Sequence, residues 1–353
     1  MHDKGLKELE YISQAVGKFP DLVQGGGGNT SVKLDDELMA VKASGYKLRQ
    51  ITPREGFVVV NYKNIKDYYS RVDLSSGIDY EKDSVEFVKN NVVEMEGLKK
   101  LRPSVEAGFH SILKKYVIHT HSVYANILCC AEEGRELVEK IFADKSYACL
   151  WVPYINPGFS LTLKIKEGIE QCIKEKNRFP EVIFMENHGL VVSSDDCSKC
   201  VELHTEVNSL IKSYLNLGDD FPEIVLEKVD EGTYRSKTRY LAEFFKDSPI
   251  TVEYFDEVAL YPDQLVYLND SICINGMDNK LNINTQTGEV IYKAGYQEAL
   301  TIEETLVAYL YVIQKINACG LKIKTMSAAG KNFINNWESE KYRKSLLKSQ
   351  NGQ

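Results

Sequence analysis

Tyr116-Val117-Ile118-His119-Thr120-His121 is an apolar run that ends in two histidines one residue apart. Read as a strand, it places both imidazoles on one face, because strand side chains alternate with period two. Two imidazoles side by side are half of a transition-metal site. A third histidine, His188, follows a second apolar run, Val182-Ile183-Phe184-Met185, in the segment Glu186-Asn187-His188-Gly189. A carboxylate, Glu106, lies a short way upstream of the pair. A single histidine is most often a hydrogen-bonded or exposed residue. Here three of the chain's six fall near strand ends, and with one acid they can hold a metal and move a proton beside it. Zinc is the first expectation, since three histidines with an open position form a known catalytic arrangement. Manganese, iron and cobalt stay open.

The rest of the chain sets the frame for this cluster. At 353 residues, 43% hydrophobic and 27% charged, it suits a soluble protein of about two domains. Lysine and arginine number 43 against 51 acids, a net charge of -8, which argues against a broad nucleic-acid surface. No apolar stretch is long enough to span a bilayer, and the polar start Met1-His2-Asp3-Lys4-Gly5 has no signal-peptide core behind it, so a cytoplasmic location is expected. Eight cysteines, several in apolar segments, read as buried free thiols. Cys197 and Cys200 form a lone CxxC that opens a helical pattern and reads as a helix face.

Periodicity orders the elements. Leu6, Leu9, Ile12 and Val16 predict an opening helix, which Gly25 to Gly28 break. Strands are expected at 30–34, 38–42 and 57–60, then a loop with a short helix over 61–82, and a helix over 84–96. Ser104 is a candidate N-cap for a helix carrying Phe109, Ile112 and Leu113. Helices are expected over 161–176 and from Asp195 or Asp196 to Leu217, with Gly218 as the stop. Residues 1–220 thus form one expected domain, 221–248 a connection, and 249–353 a smaller C-terminal α+β unit. In that unit, 265–268, 271–274 and 290–292 read as strands, Thr301 and Glu304 as a capping box opening a helix to Gly320, and the tail from Lys331 as a polar helix or a frayed end. Leu306, Val307, Leu310 and Ile313 on that helix suit its own core or an interface, the core being favoured.

Three further features bear on chemistry. Glu106 sits where a helix first turn favours a carboxylate for its dipole alone. His110, four residues on, shares its face and reads as a structural histidine. Gly25-Gly26-Gly27-Gly28-Asn29-Thr30-Ser31 has more glycine than a turn requires; consecutive free N–H groups can form an anion nest, or the run is a flexible hairpin turn. Lys42-Ala43-Ser44-Gly45 can add donors and a positive charge. There is no GxGxxG, no P-loop and no GxSxG, so dinucleotide binding, nucleotide phosphate binding and serine acyl chemistry have no support.

Taken in order, Gly-Gly-Gly-Asn-Thr-Ser at 26–31, Lys-Ala-Ser-Gly at 42–45, Arg-Pro-Ser-Val-Glu at 102–106, His-Thr-His at 119–121 and Asn-His-Gly-Leu at 187–190 resemble the class II aldolase/adducin family. In detail the chain looks most like the aldolase half of the long rhamnulose-1-phosphate aldolase/dehydrogenase proteins, and Pro262-Asp263-Gln264-Leu265-Val266 resembles a segment that follows their aldolase region. The likeness is clear over about 20–217 and faint beyond.

The resemblance implies a three-layer α/β/α domain with a largely antiparallel central sheet. It implies a divalent metal on His119, His121 and His188, with Glu106 as the general base. It implies substrate binding, through phosphate, by Gly28, Asn29, Ser44, Gly45 and Ser104. A homotetramer with its site at a subunit interface would be expected, with Tyr154 as a candidate helper from the neighbouring subunit. The implied activity is aldol cleavage of a ketose, with a sugar phosphate as the expected substrate, through a metal-stabilised enediolate. An epimerase or dehydratase would use the same logic, and an adducin-like binding protein would keep the fold without the chemistry. Val105 and Gly26 stand where simpler phosphate-binding members carry hydroxyl residues, which weakens the phosphate inference alone. With no Rossmann fingerprint, hydride transfer is not expected.

Overall fold

The computed structural model describes residues 2–337. The chain enters through α1, Asp3–Gly17, whose Leu6, Leu9, Ile12 and Val16 are buried along one face. Next come β1, Asn29–Lys33, β2, Leu38–Lys42, β3, Phe57–Asn61, α2, Tyr62–Ser70, α3, Tyr80–Asn90, and the short β4, Val92–Val93. Helix α3 starts four residues before the expected Ser84, because the Asp79 carboxylate caps it at Lys82 N. Then follow α4, Ala107–Ile112, β5, Tyr116–Thr120, α5, Val123–Cys129, α6, Gly134–Ile141, and β6, Ala148–Val152. The last elements of this unit are α7, Phe159–Lys176, β7, Pro180–Met185, β8, Gly189–Ser194, and α8, Cys197–Tyr214, capped by Asp196.

The eight strands form one sheet in the order β4-β3-β2-β1-β5-β8-β7-β6. Every neighbouring pair is antiparallel except β6 with β7. Strand alternation divides the core in two. Ile118, Val192, Phe184, Val32 and Ala40 face α1, α5, α6 and α8, while Val117, Val191, Ile183 and Met185 face α7 and Phe109 of α4. Met39, Val41, Val58 and Val60 continue the second face beneath α2 and α3. The result is three layers, α/β/α, with β5 near the middle of the sheet. All eight cysteines are free, and Cys200 packs its thiol against the Tyr116 and Val192 carbonyls as a plain face of α8.

The remaining chain adds an α+β unit. Its elements are β9, Leu226–Asp230, β10, Thr233–Ser236, α9, Arg239–Phe245, α10, Val252–Glu257, α11, Pro262–Tyr267, β11, Ile272–Ile274, β12, Leu281–Ile283, β13, Val290–Lys293, α12, Tyr296–Ala318, and α13, Ala328–Asn336. A second sheet runs β11-β12-β13-β10-β9, so the stretch expected as a connection supplies two strands, β10 pairing with β13. Its high charge marks an exposed hairpin at the sheet edge. Residues 265–268, expected as a strand, lie in and just after α11: Pro262 occupies a first helical position, and a short run buried on all sides carries no period that separates helix from strand. Helix α12 begins five residues before Thr301, whose hydroxyl bonds the Gln297 carbonyl one turn back, so no capping box forms there. Leu306, Val307, Leu310 and Ile313 are buried in a core continuous with that beneath α1, α5 and α8. Residues 338–353, the end of the expected tail, lie outside the described residues. No described helix is long and apolar enough to cross a membrane.

Candidate metal centre

His119 lies on β5, and His121 follows directly after its end. The neighbouring strand β8 brings in His188 through the turn that joins it to β7. In that turn Asn187 takes the left-handed conformation, φ 51°, which asparagine tolerates better than most residues. The three rings meet with centroids 4.9, 5.1 and 5.3 Å apart. One nitrogen from each lies within 4.8 Å of the others, and His119 Nε2 and His121 Nε2 are 3.2 Å apart. All three rings are buried.

Glu106 closes the group. Its carboxylate lies 3.2 Å from His188 Nε2 and 3.6 Å from His119 Nε2. Although Glu106 occupies the N-cap position of α4, its side chain makes no cap bond, so the helix end does not explain it. The expected cap at Ser104 fails for a related reason. Residues 103–106 form a turn in which Pro103 bridges to Ala43 and the Ser104 hydroxyl accepts from Glu106 N at 3.3 Å. The helix therefore starts at Ala107.

Asn29, paired across the strands with His119, donates to Glu106 through Nδ2 and accepts from His110 Nε2 through Oδ1. Ser31 Oγ then meets His110 Nδ1 at 2.7 Å. His110 is thus a satisfied structural histidine, and its partner is the amide that orients Glu106.

The second nitrogens of two of the rings are also engaged. His119 Nδ1 donates to the Leu190 carbonyl at 3.0 Å, and His121 Nδ1 to the Asp263 carboxylate at 2.6 Å. Each such bond places the proton on Nδ1 and leaves the Nε2 lone pair aimed at the common centre. Burial pushes the His119 imidazole well below its usual range against the pull of Glu106. Burial also pushes the Glu106 carboxyl up, but the facing His119 and His188 outweigh it and hold it well below the usual carboxylate range. Neutral imidazole and ionised carboxylate are the forms that bind a divalent cation, so the donor set fits one.

A cavity opens above these groups. Gly28, Asn29, Ser44, Gly45 and Ser104 line it together with Glu106, His121 and His188, so every expected substrate-binding residue faces the centre. Gly28 has φ 61°, and a Cβ there would stand 2.6 Å from the His119 carbonyl; only glycine fits. Lys42 Nζ donates to the Gly26 and Tyr46 carbonyls at 3.0 and 2.6 Å, tying the two turns together. Tyr154 stands apart. Its ring packs under Gly330 of α13, beside Phe333 and Trp337, its hydroxyl has no partner among the described residues, and it does not line the cavity. In this chain α13 covers the Tyr154 ring, whose expected place was in the site of a neighbouring subunit. Pro157, Pro262, Asp263 and Trp337 add to the wall; residue spacing marks none of them, and Pro262 and Asp263 stood out only in the segment resembling the long relatives.

The model of the Class II Aldolase and Adducin N-terminal domain matches residues 8–215. The chain belongs to this family. Its members among the class II aldolases are metal-dependent, in keeping with the three-histidine group. A Bacillus subtilis (strain 168) protein described as the uncharacterized oxidoreductase YuxG is 29% identical over 222 residues, 60% of this chain but 30% of that protein. The chain therefore spans about a third of the length of that relative. Among solved structures, the N-terminal class II aldolase domain of a conserved Thermoplasma acidophilum protein is 26% identical, covering 59% of this chain and 92% of that one, TM-score 0.48. A sugar-phosphate aldolase from Thermotoga maritima is 16% identical, covering 62% and 97%, TM-score 0.42.

Two histidines outside the triad make stability fall with acid. Burial holds His110 at about 3 and His204 at about 4, against 6.5 for an unburied imidazole. The folded value lies below the unfolded one, so below about pH 6.5 the unfolded chain binds more protons and acid favours it. Each histidine should remove up to about 1.4 kcal/mol per pH unit until its folded value is reached. His204→Gln should flatten the slope of urea-unfolding free energy between pH 6 and 5 by about that amount. An unchanged slope in metal-free protein would mean that His204 is not neutral in the fold.

Proposed function

We propose that this protein is a metal-dependent aldolase that cleaves a ketose, a sugar phosphate in the first instance, through an enediolate. The observation that carries the reading is the convergence of three buried imidazoles and one carboxylate beneath a cavity walled by two backbone-rich turns. A divalent ion held by His119, His121 and His188 would supply Lewis acidity toward the substrate carbonyl and the charge that develops on it. The chain's own groups do the rest. Glu106, oriented by Asn29, hands a proton to the enediolate carbon in cleavage and removes it in condensation. Asn29, Ser44 and Ser104 present donors to the far end of the substrate, and the turns at Gly28 and Gly45 let backbone approach it closely. Membership of the family supports lyase chemistry, and the resemblance of the sequence motifs to the long rhamnulose-1-phosphate aldolase/dehydrogenase proteins makes a ketose 1-phosphate of that type the first substrate to try.

The test is product analysis with a panel of ketose 1-phosphates. Dihydroxyacetone phosphate and an aldehyde should appear together. The purified chain should hold about one divalent ion, the stoichiometry of a single three-histidine site, and lose activity on chelation. An isomeric ketose as product would indicate epimerisation, and a keto-deoxy product dehydration. Metal-free protein that takes up neither Zn²⁺ nor Mn²⁺ would mark an adducin-like binding role and end the aldolase reading.

A further inference from the structure

We infer that Asp263, carried by the C-terminal unit, is a positioning residue for His121, and that the glycine turn is shaped to admit it. The inference rests on the metal-centre reading above and goes beyond the family domain, since Asp263 lies outside the matched residues 8–215.

The pair is close and dry: His121 Nδ1 to Asp263 Oδ2 is 2.6 Å, with side-chain exposures of 7% and 2%. A carboxylate on the far nitrogen fixes the ring's tautomer and rotation and makes the metal-facing nitrogen a better donor. Asp263 is itself held firmly. Pro262 restricts the backbone before it, and the next residue, Gln264, accepts from Leu260 N at 2.8 Å and donates to the Phe255 carbonyl at 2.6 Å.

The glycine run carries the matching imprint. A Cβ at position 27 would collide with Asp263 Oδ2 and stand 2.8 Å from His121 Nδ1, so no side chain fits there while the pair is made. This accounts for one glycine that an anion nest does not require. Two more ties run from the same unit. Gly25 N donates to Glu304 Oε2 at 2.8 Å, and Asn187 Nδ2, in the turn bearing His188, donates to the Leu260 and Lys324 carbonyls at 2.8 Å each. The glycine turn, His121 and the His188 turn are all braced by residues beyond 259.

The experiment uses the full chain stripped with chelator. The Zn²⁺ dissociation constant is measured by competition with a chromophoric chelator, and the visible spectrum of the Co²⁺ form is recorded. The parent should bind both ions. Asp263→Asn, which keeps volume but loses charge, should bind Zn²⁺ about 10- to 100-fold more weakly and shift the cobalt bands. Gly27→Ala reaches the same contact from the other side and should weaken binding to a similar degree; it decides the matter if Asp263→Asn does not fold. The double variant should bind no more weakly than the weaker single one, since both act through one imidazole. Near-parent affinity with unchanged cobalt bands in Asp263→Asn would overturn the role of Asp263 and leave the metal centre standing. A parent chain that binds neither ion would overturn the metal centre, and this inference with it.

Discussion

Glu106→Gln should lower turnover on the ketose found by the product screen by about two to four orders of magnitude, the usual range for loss of a general acid–base group, while the chain keeps its metal. The substitution is nearly isosteric. Gln can still accept from Asn29 Nδ2, so the amide network running through Asn29, His110 and Ser31 has no reason to collapse. What disappears is the ability to take and return a proton beside the imidazoles. The three histidine nitrogens remain as ligands, so elemental analysis should match the parent. If kcat fell while KM stayed, the carboxylate acts in the transition state and not in uniform binding. Full activity in Glu106→Gln would move the base to another group facing the cavity. The nearest alternative carboxylate there is Asp263, and its contact with His121 Nδ1 leaves it poorly placed for substrate.

Much of this centre is legible from residue spacing. Period-two alternation puts His119 and His121 on one face, and their rings do meet, 4.9 Å between centroids, although β5 ends at Thr120. His188 is legible because its segment interrupts two apolar runs that must pair as neighbours. What spacing cannot give is any contact across long separations in the chain. Asp263 sits 142 residues from His121, just before a run, 265–268, that reads as an ordinary apolar strand, and Glu304 looks like a capping residue because its true partner, Gly25 N, is 279 residues away. Both misreadings share a cause. A Ser/Thr-x-x-Glu pattern and a short buried run each have a local meaning, and tertiary contacts replaced it here. The opposite holds for α1, α7 and α8, which match their periodicity because one face alone is buried.

His121→Ala should abolish both metal binding and activity, and its thermal behaviour separates two consequences that activity alone would merge. A ligand that binds only the folded chain stabilises it by an amount set by its concentration over Kd, about 4 kcal/mol at a thousandfold excess. The parent's unfolding midpoint should therefore rise on adding Zn²⁺, and the variant's should not move. The metal-free variant should also be weaker than the metal-free parent, because the Nδ1–H that the buried Asp263 carboxylate accepts is gone; losing one partner of such a bond costs about 1–3 kcal/mol. Combining His121→Ala with Asp263→Asn should recover part of that second loss and none of the first. A His121→Ala chain that still responds to Zn²⁺ like the parent would show that the ion sits elsewhere. In that case the convergence of His119, His121 and His188 would be a packing arrangement, with Glu106 satisfied by Asn29 and its neighbouring imidazoles alone.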